Sequence, residues 1–282
     1  METIFVALSN MSGIACASDR DHTIYQLSKK LPLALAVSPS SSIPWDSIIE
    51  QYKLIGGPDE KEEFSDYASH FFSFLSTIPV EKSWKVKSDD DSNLIFMGYG
   101  KDDLFPSLYD VFLKINPKKN SLEEDFSEYN KVSHHQIAFI NLLGDFEGVS
   151  TLLFGASDKT KEMICQYYIK LYKAYRERVI KKFTDTEFAD FVNKKLEAFN
   201  IEETVYDKVF SVTDEVLEQV YTGLDTFGIE DLVTAGETLV NAEVRLKHLL
   251  SNGKEHSHTT KEIAVITRTE GVTWLKHSLY AL

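Results

Sequence analysis

Thr3-Ile4-Phe5-Val6-Ala7-Leu8-Ser9-Asn10-Met11-Ser12-Gly13-Ile14-Ala15-Cys16-Ala17-Ser18-Asp19-Arg20 opens the chain as two strands. Residues 3–8 form a β-branched and aromatic run. Residues 10–13 supply a turn, and 14–17 return as small apolar side chains, which is the pattern of a hairpin. A second pair follows at 24–27 and 33–37, joined across Lys29-Lys30 and Pro32. Leu33-Ala34-Leu35-Ala36-Val37 is apolar at every position. A strand of that kind belongs to a sheet covered on both faces.

Working outward, a helix is predicted after Ser40-Ser41-Ser42. Pro44 falls in its first turn, where a missing N–H costs nothing. Trp45, Ile48, Ile49, Tyr52 and Ile55 follow at helical spacing, and Gly56-Gly57-Pro58 ends the run. A second helical stripe is Phe64, Ala68, Phe71, Phe72 and Leu75. Strands are predicted at 93–99, 107–115 and 136–142, and a short helix from about Gly144–Gly148 through Phe154.

Over 158–250 the apolar period becomes helical. Ile164, Tyr168, Leu171, Tyr175 and Val179 form one stripe. Val209, Val212, Val216, Val220 and Leu224 form another, and Leu232, Leu239, Val240 and Leu246 a third. A terminal hairpin closes the chain, with strands at 262–267 and 272–275 and a turn at Glu270-Gly271. There is no internal repeat and no Pro/Gly/Ser-rich linker. The plan is α+β: one domain over 1–282, with a helical elaboration at 155–235.

The chain has 282 residues, 43% of them hydrophobic and 26% charged. A chain of this length buries roughly three quarters of its unfolded surface, so it needs neither disulfide nor metal to fold. Its two cysteines, Cys16 and Cys165, make no disulfide framework and suit a reducing, cytoplasmic compartment. The net charge is −14, from 30 basic and 44 acidic side chains, which argues against nucleic acid as a partner. No apolar run approaches the ~20 residues of a membrane helix, so no membrane is expected. Charge is uneven along the elaboration. Residues 155–200 hold ten Lys/Arg against seven Asp/Glu, and residues 201–236 hold nine acids against Lys208. The acidic stretch reads as a solvated helix face or as a surface for a protein partner.

Familiar chemical signatures are missing: there is no GxxxxGK[ST], GxGxxG, HExxH or CxxC. His134-His135 would point to opposite faces of a strand and make a poor chelate. His256 and His258 sit in a polar loop. No cofactor and no metal ligand set is expected. Cys16, between Ala15 and Ala17, reads as a small buried strand residue.

The opening is more specific. The strand from Thr3, the turn at Gly13 and the return Ile14-Ala15-Cys16-Ala17-Ser18-Asp19-Arg20 resemble the start of proteasome β-type N-terminal-nucleophile hydrolases. Counting back without a gap puts Thr3 on that family's nucleophile position and Asp19 on its aspartate. Ile24-Tyr25-Gln26-Leu27-Ser28-Lys29, Pro32-Leu33-Ala34-Leu35-Ala36-Val37 and Ile43-Pro44-Trp45-Asp46-Ser47-Ile48-Ile49 resemble an uncharacterised bacterial branch of proteasome-like proteins. So do Glu237-Thr238-Leu239-Val240-Asn241 and Ile263-Ala264-Val265-Ile266-Thr267-Arg268 through Trp274-Leu275-Lys276. The likeness covers roughly 3–55, 94–155 and 235–280.

The resemblance implies a four-layer αββα sandwich with a helical insertion, self-association through helices, and threonine chemistry. In such enzymes the threonine hydroxyl attacks an amide carbonyl and the free α-amine takes the proton. A lysine supported by the aspartate lowers the local proton affinity, and a glycine turn supplies oxyanion donors. This chain departs from that pattern. Met1 and Glu2 precede Thr3, with Glu2 where self-cleaving members have glycine. The strand at Ile24 is preceded by His22-Thr23 rather than lysine. Lys29 and Lys30 fall at its far end. The oxyanion turn reads Ser38-Pro39-Ser40-Ser41-Ser42, in which Pro39 has no N–H. Two functions follow. One is a degenerate, non-catalytic assembly or interaction module, expected to be a homo-oligomer with the acidic helices of 201–236 open to a partner. The other is an active threonine-type peptidase or amidohydrolase using Thr3, supported by Asp19, after removal of Met1-Glu2.

Overall fold

The structure, a computed structural model, describes residues 4–37, 43–55, 63–80, 84, 92–116, 118, 120–134, 136–144, 146–154, 156, 158–181, 186–197, 201–250 and 259–277. It is an α+β protein with antiparallel sheets. The opening hairpin is β1 (Phe5–Asn10) and β2 (Gly13–Ser18), paired from Phe5 opposite Ser18 to Asn10 opposite Gly13. Gly13 is held at φ +147°, and a Cβ there would meet the Ile266 carbonyl oxygen at 2.8 Å, so the turn needs glycine. Next come β3 (Ile24–Gln26) and β4 (Leu33–Val37), then helices α1 (Trp45–Leu54) and α2 (Phe64–Thr77). Four strands follow: β5 (Ser92–Gly98), β6 (Ser107–Asn116), β7 (Ser121–Lys131) and β8 (Ala138–Leu143). Helices α3 (Glu147–Phe154), α4 (Asp158–Ile180), α5 (Thr186–Glu197), α6 (Ile201–Asp225) and α7 (Ile229–Leu250) lead to the closing hairpin of β9 (Glu262–Thr267) and β10 (Gly271–Lys276).

The strands form two five-stranded sheets, ordered β10-β9-β2-β1-β8 and β3-β4-β5-β6-β7. The pleat of β4 shows how they stack. Leu33, Leu35 and Val37 point to a core shared with Trp45, Ile48, Tyr52, Phe64 and Phe71 of α1 and α2. Ala34 and Ala36 point the other way, into a core shared with Phe5 and Ala7 of β1, Cys16 of β2 and Ala264 of β9. That second core lies between the two sheets, and the Cys16 thiol reaches Met97 Sδ of β5 across it at 3.5 Å. On the outer face of the first sheet, α7 lies against β2, β1 and β9. Its buried stripe includes Leu232, Gly236 and Val240, with Gly236 over Ala17 and Leu8. Asn10 at the hairpin tip donates from Nδ2 to the carbonyls of Leu224 (2.7 Å) and Phe227 (2.9 Å), which pins the α6–α7 turn.

The chain divides into two compact units: residues 1–146 with 221–282, and residues 147–220, the boundary falling after Val220 within α6. The sequence reading placed its elaboration at 155–235. Within the second unit, Arg176 of α4 grips Asn193 Oδ1 of α5 from two nitrogens (2.9 and 2.6 Å), and Lys173 pairs with Glu202 of α6 at 2.9 Å. The stripe Ile164, Tyr168, Leu171 and Tyr175 is exposed, while Lys161, Cys165 and Ile169 are buried on α4. No described helix is long and apolar enough to cross a membrane.

Candidate functional site

Asp19 follows directly on β2 and is 3% exposed. Its Oδ1 accepts the Ile4 backbone N–H at 2.8 Å, and its own N–H donates to the Ile4 carbonyl at 3.1 Å. The side chain thus fixes the chain at the residue after Thr3. Thr3 itself lies outside the described residues, as do Met1, Glu2 and the serine-rich turn at 38–42. Asp19 is therefore the predicted site residue whose surroundings can be read.

The chain next turns toward β3. His22 takes a left-handed backbone (φ 59°), which aims three successive N–H groups the same way. All three meet one carboxyl group, that of Glu262: His22 N–H at 2.9 Å, Thr23 N–H at 3.1 Å and Ile24 N–H at 3.0 Å. Such a run of N–H groups is an anion cradle. Glu262 opens β9 and is fully buried. Burial pushes its carboxyl above the ordinary range, against the three N–H groups and His277, which pull it down. His277 Nδ1 lies 3.3 Å from Glu262 Oε1, and its ring sits 4.3 Å from the Trp274 ring.

The rest of the surroundings is polar and mostly paired. Thr23 shares a hydrogen bond with Ser18 Oγ at 3.0 Å. His22 Nδ1 lies 3.0 Å from Asp46 Oδ1, which also accepts the Tyr25 hydroxyl at 2.8 Å. Burial and the Asp46 carboxylate push that hydroxyl's pKa up. Lys261 Nζ is 3.2 Å from Asp21 Oδ2.

The place where the family pattern puts a lysine, just before Ile24, holds Thr23, and Lys29 and Lys30 are exposed in the β3–β4 connection. Glu262, His277 and Lys261 escaped the sequence reading because some 240 residues separate them from His22. The usable signal was an acidic residue opening the otherwise apolar strand Glu262-Ile263-Ala264-Val265-Ile266.

Among the described residues, no three of His, Cys, Asp and Glu are grouped to hold a metal ion. His134 lies outside any strand and packs edge-on against Phe105 at 5.4 Å. His135, His256 and His258 lie outside the described residues. Cys16 is buried, and burial pushes its thiol's pKa up, away from thiolate chemistry. Compared with known proteins, the chain matches no family model and no curated sequence.

Proposed function

We propose that this chain is a proteasome-like N-terminal-nucleophile-hydrolase-fold protein that has lost its catalytic apparatus and serves as an assembly or interaction module. The two face-to-face five-stranded sheets, with α1 and α2 outside one and α7 outside the other, support the αββα part of that reading. The observation that carries the loss of catalysis is the seat of Glu262. The mechanism needs a cation at the start of β3 to ease the proton off the nucleophile. Here a carboxyl group sits there, cradled by the N–H groups of residues 22–24. Ionised or not, it supplies no positive charge, and its anion makes a neighbouring proton harder to lose.

Intact mass tests the reading. Retention of Glu2, with or without Met1, leaves Thr3 without a free amine, and no amide hydrolysis is expected. The second reading, an active threonine peptidase or amidohydrolase, is favoured by one contact, the Asp19 carboxylate on the residue after Thr3. Loss of Met1-Glu2, together with hydrolysis abolished in Thr3→Ala, would establish it and sink the first.

The interaction role is self-association. On α4, Met163, Tyr167, Leu171 and Tyr175 are exposed. The basic 155–200 and acidic 201–236 stretches of two copies are complementary in charge. Sedimentation should show an assembly that weakens as salt rises. A monomer at every concentration and salt counts against it.

A further inference from the structure

Strand β6 of one sheet meets β8 of the other through a polar pair. Side chains alternate along a strand. Asp110 therefore shares a face with Leu108, Asn141 with Leu143, Ser9 with Ala7 and Asn93 with Ile95, all of which line the inter-sheet core. Of these polar residues, Asp110 and Asn141 are hydrogen-bonded to each other through their side chains. Asn141 is 8% exposed.

The pair is half satisfied. Asp110 Oδ1 and Asn141 Oδ1 are each closed to solvent and have no hydrogen-bond partner in the chain. A carboxylate only accepts, so the bond that exists runs from Asn141 Nδ2 to the other Asp110 oxygen, Oδ2. Each side chain is left with one unmet oxygen, next to the atom already bonded. Two buried oxygens side by side repel unless a hydrogen lies between them. One proton on Asp110 Oδ1 meets both needs: it makes a hydroxyl that donates to Asn141 Oδ1, and acid and amide then exchange two parallel bonds.

The surroundings favour the neutral acid. Glu128 of β7 is opposite Asp110 in the ladder, so an ionised Asp110 would face a second carboxylate. On α6, Tyr221 lies near Glu128, and burial with that carboxylate pushes its hydroxyl's pKa up, so it brings no positive charge. Burial first, then Glu128, push the Asp110 carboxyl up to about 6, against the Asn141 amide and the Val111 N–H, which pull it down. A bridging water would also supply two hydrogens, but it would leave the buried charge facing Glu128.

We propose that Asp110 and Asn141 form a proton-gated clasp between the two sheets, closed by two bonds when Asp110 is protonated and cut to one when the proton leaves to solvent. The folded carboxyl holds its proton above its ordinary 3.8. The clasp is therefore complete in acid and is lost as pH rises through the folded value.

The test uses the full chain. Asp110→Asn is the closed clasp made permanent, because its amide can donate to Asn141 Oδ1 and accept from Nδ2 at any pH. Thermal unfolding of wild type and variant is compared from pH 4 to pH 8. Near pH 4 the two should melt together. At pH 8 the variant should melt higher, by about 5 °C. The difference between the two curves isolates Asp110, since Glu262 contributes equally to both. An offset that does not change with pH, or a variant less stable at pH 8, overturns the proposal. Carboxyl 13C NMR of the wild type decides it even if the variant does not fold. One aspartate carbon titrating near 6 is expected; aspartates that all titrate in the ordinary range, the result a bridging water would give, overturn it.

Discussion

The layer between α1/α2 and its sheet and the layer between the two sheets are filled by different side chains. The first is built from rings. Tyr52 meets Phe71 edge-on at 5.0 Å, and Phe96 of β5 lies 5.4 Å from Phe64 and 6.0 Å from Phe71. The second mixes five small residues, Ala7, Cys16, Ala34, Ala36 and Ala264, with larger ones such as Phe5, Ile95, Met97 and Leu108. A polar atom that the ring layer does take in, the Tyr52 hydroxyl, is met by His70 Nδ1 at 2.9 Å. Short side chains let two sheets approach face to face, at about 10 Å. Ser9, Asn93, Asp110 and Asn141 fall in the second layer.

That contrast can be broken by mutation. Phe71→Ala should cost the most, about 3–5 kcal/mol, because its partners are too rigid to refill the hole; chemical denaturation measures it. Glu262→Ala strands three backbone N–H groups and should cost about 2–3 kcal/mol, while Glu262→Gln, which still accepts, should cost less. The glutamine variant also tests pH dependence. The folded pKa of Glu262 is raised above its ordinary 4.5, so its contribution to stability falls as pH climbs from there toward the folded value. Glu262→Gln should flatten that part of the stability–pH curve; an unchanged slope would assign it elsewhere.

Ala34→Leu overfills the inter-sheet layer and should cost about 1–3 kcal/mol. A neutral result would mean that the two sheets have room to spare there. Thr3→Ala should be the smallest, within about 0.5 kcal/mol and without effect on assembly. A larger loss in thermal unfolding would make Thr3 a structural part of the opening hairpin.

Much of the fold was legible because the strands of the inner layers are apolar on both faces. β4 was placed at 33–37, where it is, and β1, β2, β5, β6, β9 and β10 fell within a few residues of their positions. The strand β7 was not predicted. It is the outer strand of its sheet, and Glu123, Glu124, Asp125 and Glu128 hide the apolar alternation. Charge on an edge strand guards against unwanted pairing, so the feature that protected the edge also masked it. Periodicity identified α4 as a helix but pointed to the stripe that is exposed, because a period says that a face exists and not which neighbour covers it. At the candidate site Asp19 was singled out through the resemblance of the opening hairpin, by its count from the turn at Gly13. Glu262 was not, since its role depends on where β9 lands beside β2.

The two buried cysteines give the molecule a pair of internal clocks. Both are free thiols, and one lies in each compact unit, Cys16 in the first and Cys165 in the second. A thiol reagent can reach either one only when its surroundings open, so alkylation rates, resolved by peptide mass, report the two openings separately in one unmodified sample. Cys16 sits between the sheets beside Met97, and its labelling should wait for the sandwich to part.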